Sequence, residues 1–283
     1  MLEQLLALLE MPFIHNALLS IIPLSIACGI LGSLIIINRL SYVAGGLTHG
    51  AYGGIGIGAY FGIPILMSAM IFSLGLALLV AYLIRHHRHA SDNFIGAIWA
   101  FGMALGILLI QSSSGYQADM MGYLFGNILV LSNFNLWMMW GLACLFLVAV
   151  IGLYPQIQAL SYDEDFAKTR GIRSGGLFYL LILMIASCVV ITMQAVGLIL
   201  VIALLSIPTF IAQGLSKTLK GMMGFSVLFN LLFCLIGLLG SFLLNLSSGA
   251  SIVMVSVLGF GIYLGIKWLL DPKRSRKSPK ILP

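Results

Sequence analysis

Nine apolar runs follow one another along the chain, at residues 15–37, 43–61, 64–84, 94–112, 134–154, 177–195, 198–214, 222–245 and 250–268. A helix of about 20 apolar residues covers the hydrocarbon core of a bilayer. Within that core only helices and closed barrels keep every backbone polar group bonded. The runs therefore predict an all-α, polytopic transmembrane helical bundle of about nine spans and exclude a soluble globular domain. Charge supports this at the point where it matters: Asp, Glu, Lys and Arg are 8% of the 283 residues, against about 25% in a soluble domain, too few to coat a water-facing surface. Ahead of the first run, MLEQLLALLEMPF carries Glu3 and Glu10 where a secretory signal has basic residues, and reads as a short interfacial helix. The whole of 1–283 reads as one transmembrane domain.

The connectors orient the bundle. With the N-terminus outside, every Lys and Arg falls on the inner side: Arg39; Arg85 and Arg88; Lys168, Arg170 and Arg173; Lys217 and Lys220; and then Lys267, Lys273, Arg274, Arg276, Lys277 and Lys280. Lys and Arg collect in cytoplasmic loops, so an external N-terminus, an internal C-terminus and an odd number of spans are expected. The formal charge of +6 then lies beside anionic headgroups, largely in a cytoplasmic basic tail at 271–283, and implies membrane lipid rather than nucleic acid as its partner.

One connector carries structure of its own, SYDEDFAKTRGIR at 161–173. Ser161 and Glu164 fit a capping box. Asp163, Glu164 and Asp165 stand where a helix dipole favours anions, and Lys168 and Arg170 where it favours cations. Gly171 is the expected stop, with Phe166, Ala167 and Ile172 as apolar members. The pattern predicts a short self-capped helix and leaves two roles open, a solvated connector or a docking helix for a cytoplasmic partner.

Ionisable groups inside a span are costly and usually functional. His49 is the one deep candidate, within AGGLTHGAYGGIGIGAYFG at 44–62, with Thr48 and Tyr52 beside it. The glycines there strip the helix of side chains, so that another helix or a solute can approach. An interhelical hydrogen bond and a place on a transport path are both open to this histidine. A lone imidazole cannot hold a metal, since Zn²⁺ usually takes four ligands, so further ligands would come from other spans or a second subunit. The cluster His86-His87-Arg88-His89 reads as a basic interfacial flank, with metal binding as its alternative. Cys28, Cys144, Cys188 and Cys234 form no CxxC pair and read as packing residues. Pro23 and Pro208 are expected to kink their helices.

Several segments carry a resemblance: GGLTHGAYGGIGIG at 45–58, SDNFIGAIWAFGMALGILLI at 91–110, MGYLFGNILVLS at 121–132, YDEDFAKTRGI at 162–172, VGLILVIALLSIPTFIA at 196–212 and SSGASIVMVSVLGF at 247–260. In this order they resemble the membrane permease subunits of bacterial ABC importers for zinc, manganese and iron(II), the ABC-3 family. The resemblance implies a type II-like importer permease in the bacterial cytoplasmic (inner) membrane, paired with a second copy of itself around a central path. It implies two cytoplasmic ATPase subunits and an extracytoplasmic metal-binding protein, and no permanently bound cofactor. His49, Thr48 and Tyr52 become path residues. Asp163, Glu164, Asp165, Phe166, Ala167, Arg170 and Gly171 become the ATPase-coupling segment, and Gly45, Gly46, Gly53, Gly54 and Pro208 become helix-packing residues. Two departures stand out. Many members carry an aspartate four residues before the histidine, where this chain has Gly45, and the family's proline–glycine pair is replaced at Ser248-Gly249-Ala250-Ser251.

The chain has no Walker A motif, so ATP hydrolysis would belong to partners and the chain itself is not expected to be an enzyme. A histidine without a hard carboxylate partner favours zinc over manganese or iron. A permease for a chelated metal, of siderophore or cobalamin type, would need a wider path. An intramembrane hydrolase would need Ser251 activated by His49. A secondary transporter would need a coupling-ion carboxylate, and no Asp or Glu lies deep inside a run.

Overall fold

A computed structural model describes residues 12–87, 91–113, 126, 128 and 131–270. These form eleven helices and no strand: α1 (Pro12–Ile37), α2 (Ser41–Phe61), α3 (Ile65–His86), α4 (Ser91–Ser112), α5 (Asn133–Gly152), α6 (Tyr154–Tyr162), α7 (Glu164–Thr169), α8 (Ser174–Val196), α9 (Leu198–Leu215), α10 (Leu219–Leu244) and α11 (Ser248–Leu270). The interfacial helix expected at the N-terminus, most of the 121–132 segment, Arg88 and His89, and the basic tail at 271–283 lie outside the described residues.

Each of the nine apolar runs coincides with one long helix. Eight of these, α1, α3, α4, α5, α8, α9, α10 and α11, are long and apolar enough to cross a membrane. The ninth, α2, has 21 residues, about 31 Å at 1.5 Å per residue, but its seven glycines lower its apolarity. Packing supplies what composition lacks, because most of α2 is buried against α3 and α4.

The basic connectors meet at one end of the bundle. Arg85, closing α3, stands 3.7 Å from Glu164 at the start of α7 and against Gly175 at the start of α8. Asn38, just past α1, donates to the Ser161 hydroxyl in α6 at 3.0 Å. Lys220, opening α10, sits over the Tyr154 ring at the start of α6. At the opposite end, Asn16 donates to Asn133 at 2.8 Å, joining the starts of α1 and α5. Among the described residues, the ends of α1 and α3, the 154–175 connector and the start of α10 are thus gathered at one end.

Two turns deserve their residues. Between α1 and α2, Arg39 adopts a left-handed conformation (φ 57°), and the Arg39 and Leu40 amides donate back to Ile36 and Ile35; a non-glycine residue is uncommon there. Between α8 and α9 a single residue, Gly197, reverses the chain. Its φ of 80° and ψ of 164° lie in a region essentially restricted to glycine. Gly126 packs directly on this reversal: a Cβ on it would run into the Val196–Gly197 backbone. Two segments read separately from the sequence, LFGN and VG, therefore meet as one corner. The helices run unbroken through Pro23 and Pro208, and next to Pro208 the Thr209 hydroxyl bonds the Ser226 hydroxyl of α10 at 2.7 Å.

Candidate functional site

The glycines of α2 face its neighbours. A Cβ at Gly46 would strike Ile95, at Gly50 Leu76, at Gly53 Phe72, at Gly54 the Ala69 backbone and at Gly56 the Gly106 backbone; across the crossing, Gly102 of α4 rests on Gly50. Small residues on both helices bring the two backbones together, the usual device for close approach in lipid. Gly45, expected to share this packing role, is different: a Cβ there would meet nothing within 4 Å.

One helical turn beyond Gly45, His49 is half-buried, with its ring stacked flat on Trp99 of α4 at 4.3 Å and 7° between planes. Trp99 in turn leans on Tyr42, 6.4 Å away; both are part-exposed at 36% and 44%. The His49 Nδ1 is buried and has no hydrogen-bond partner. A buried polar atom left unpaired costs about 1–3 kcal/mol, and its neighbour on the same face is the empty position at Gly45. The glycine crossing explains the geometry: α4 comes close enough to lay an indole over an imidazole.

The other two expected path residues sit differently. Thr48 is fully buried and its hydroxyl donates to the Ala44 carbonyl at 2.7 Å. Tyr52 is 1% exposed against Gly106, and its hydroxyl is buried without a partner. Of the three, His49 alone reaches a partly open face. Among the described residues no group of three or more His, Cys, Asp or Glu is placed to hold a metal ion. Trp99 and Tyr42 did not emerge from sequence reasoning; Trp99 lies in the 91–110 segment, but nothing in the periodicity links it to a histidine 50 positions earlier. Ser251, the nucleophile a hydrolase would need, donates to the Ser247 carbonyl just before its own helix at 2.8 Å.

The connector 161–173 forms the expected short helix with a different cap. Ser161 belongs to the end of α6 and is held by Asn38. The cap of α7 is Asp163, whose carboxylate accepts from the Asp165 and Phe166 amides at 2.9 and 3.0 Å. Asp163 wins because its own backbone is extended (φ −154°), as an N-cap requires, while Ser161 is still helical. Gly171 ends the helix as expected: at φ 74° its amide donates to Lys168 and the Ile172 amide to Ala167, a Schellman closure. Glu164 faces inward to Arg85, Lys168 and the Ser174 hydroxyl. Asp165 holds the exposed Lys168 ammonium at 3.0 Å and, with Glu164, raises its pKa. Ala167 is fully buried, whereas Phe166 is 48% exposed with the Arg170 guanidinium 5.2 Å from its ring centroid. The helix is thus pinned to the ends of α3 and α8 on one side and presents an aromatic–cation pair on the other.

Comparison with known proteins places this architecture. The profile of the ABC 3 transport family matches residues 10–266. An uncharacterized membrane protein of Synechocystis sp. is 42% identical over 267 residues, 94% of this chain and 95% of that protein. The manganese transport system membrane protein MntC of Halalkalibacterium halodurans is 30% identical over 249 residues, 88% of this chain and 85% of that protein. Among solved structures, PsaBC from Streptococcus pneumoniae in complex with Fab is similar with a TM-score of 0.84 at 29% identity, covering 93% of this chain and 95% of that one. With a family match from the first span to the last and a fold shared almost end to end, this all-α multi-pass membrane protein belongs to the ABC 3 transport family.

Proposed function

We propose that the chain is the permease subunit of an ATP-driven importer for a divalent transition-metal ion, and that the ion passes His49 between two copies of the chain. The observation that carries this reading is the part-exposed His49 imidazole one helical turn from the open position at Gly45. A neutral imidazole is a common metal ligand, and the missing ligands would come from the second copy. Because the other glycines of α2 are filled by α3 and α4, the space beside His49 suits a bare ion rather than a chelate. In the same reading the basic end of the bundle is cytoplasmic, the membrane is the bacterial inner membrane, and α7 docks an ATPase on each copy. A metal-binding protein delivers the ion at the opposite end. ATP is hydrolysed by those partners, and the ion is cargo rather than cofactor.

The relative named for manganese sets one expectation for the metal; the ligand chemistry of this chain sets another. Manganese suits carboxylate oxygen and zinc suits imidazole nitrogen. With Gly45 where a carboxylate could stand, zinc is the favoured cargo, followed by manganese and iron(II). ATP-dependent uptake into vesicles containing permease, ATPase and binding protein tests this. The parent should take up zinc ahead of manganese. Gly45→Asp, which adds an oxygen ligand where nothing obstructs it, should shift the zinc-to-manganese ratio toward manganese by about tenfold, equivalent to about 1.4 kcal/mol. A parent that prefers manganese, with a ratio unmoved by the aspartate, would overturn the zinc assignment.

The docking role has its own check. Glu164→Lys replaces the inward carboxylate by a cation facing Arg85 and Lys168, so α7 should lose its seat. Uptake should fall by about tenfold or more and less ATPase should co-purify, while the permease still inserts. Unchanged co-purification and uptake would make 161–173 a plain connector.

A further inference from the structure

The outer surface of the bundle carries a groove that neither the path nor the coupling helix uses. It lies between α1, α5 and α10, encloses about 440 Å³, and is walled by Ile26 and Ile30, Leu147 and Ile151, and Gly224 and Val227. Its inner end is closed where Val227 seats on Gly29, so tightly that a Cβ on Gly29 would lie 2.6 Å from the Val227 amide nitrogen. From there the groove runs toward the basic end, over about 10 Å for the seven residues from Val227 to Lys220. The rim at that end is polar: the Lys220 ammonium lies 4.6 Å from the centroid of the Tyr154 ring. Lys220 is exposed, and among the described residues no carboxylate pairs with it. Lys217 stands in the short connector just before α10.

An apolar groove alone does not choose an occupant in a membrane, because lipid tails are as apolar as its walls. Any preference has to come from the rim. Among the described residues that line it, the one charge is positive and set on an aromatic ring, which is the arrangement that attracts an anionic headgroup. Gly224 adds the shape: its missing side chain leaves the wall open, with nothing within 4 Å of where a Cβ would be. We propose that this groove binds one anionic phospholipid per protomer, with an acyl chain between α1, α5 and α10 and the phosphate on Lys220. The leaflet, cytoplasmic, follows from the proposed orientation; the site itself does not depend on the identity of the transported ion.

Native mass spectrometry of the permease–ATPase complex, released from detergent and titrated with phosphatidylglycerol or with phosphatidylcholine of the same chains, tests it. The parent should retain one phosphatidylglycerol per protomer with about fivefold preference over phosphatidylcholine, the value of one lysine at a headgroup. Lys220→Gln should abolish that preference, and Lys217→Gln, which leaves the rim ammonium in place, should keep most of it. Gly224→Leu should plug the groove and lower retention of both lipids while the complex stays monodisperse. Equal retention of the two lipids by the parent overturns the site, as does phosphatidylglycerol retention unchanged in both Lys220→Gln and Gly224→Leu. A change in the number of permease copies with Gly224→Leu, at constant lipid count, would assign the groove to a second copy instead.

Discussion

Glutamine in place of His49 is expected to leave the permease folded and assembled yet nearly silent in metal uptake. The side chains are similar in volume, so packing against Trp99 is largely kept, and Nδ1 has no protein hydrogen bond to lose. What is lost is the imidazole lone pair. Groups that merely orient a metal ligand cost about 10–100-fold when removed, and loss of a ligand on the path should cost no less. His49→Ala removes the same ligand and leaves a small void as well, with structural damage bounded at a few kcal/mol. A structural histidine would tolerate glutamine better than alanine; a path ligand suffers equally from both. Uptake by the glutamine variant near that of the parent would return His49 to a packing role.

Alanine at Gly197 should act on the fold itself. The single residue between α8 and α9 holds φ 80° and ψ 164°, where a Cβ costs about 1–3 kcal/mol in backbone strain alone. The corner has no room to relax, because Gly126 is already pressed on the Val196–Gly197 peptide. Native proteins have only about 5–15 kcal/mol in hand, so Gly197→Ala should markedly lower both the yield of monodisperse permease and its thermal midpoint in detergent. Gly224→Ala, on the open groove wall, should leave both nearly unchanged. Equal behaviour of the two variants would contradict the corner's role.

How far the chain could be read without coordinates depended on whether the deciding interaction was local. Span length and one-sided charge are local properties repeated many times, and α1–α5 and α8–α11 lie close to the expected runs. The stop at Gly171 was legible because a left-handed C-terminal residue favours glycine regardless of surroundings. The N-cap two turns earlier was misassigned to Ser161, since S-x-x-E and Asp163 both satisfy local rules. Ser161 is still helical at the end of α6, where its hydroxyl accepts from Asn38, 123 residues away, and Asp163 is the extended residue that caps α7. The same limit applies at the site. His49 stood out as an ionisable residue in an apolar run, but its stacking on Trp99 follows from glycines on two helices meeting, and Gly45 could not be told from Gly46 until their neighbours were known.

The passage of a metal ion at His49 is tested most directly by X-ray absorption at the zinc edge, on the purified permease–ATPase complex loaded with substoichiometric zinc. The expected spectrum of the parent contains imidazole scattering from the paired His49 rings, and that scattering disappears in His49→Gln without loss of assembly. A parent spectrum without imidazole, or one that is identical in His49→Gln, would contradict it.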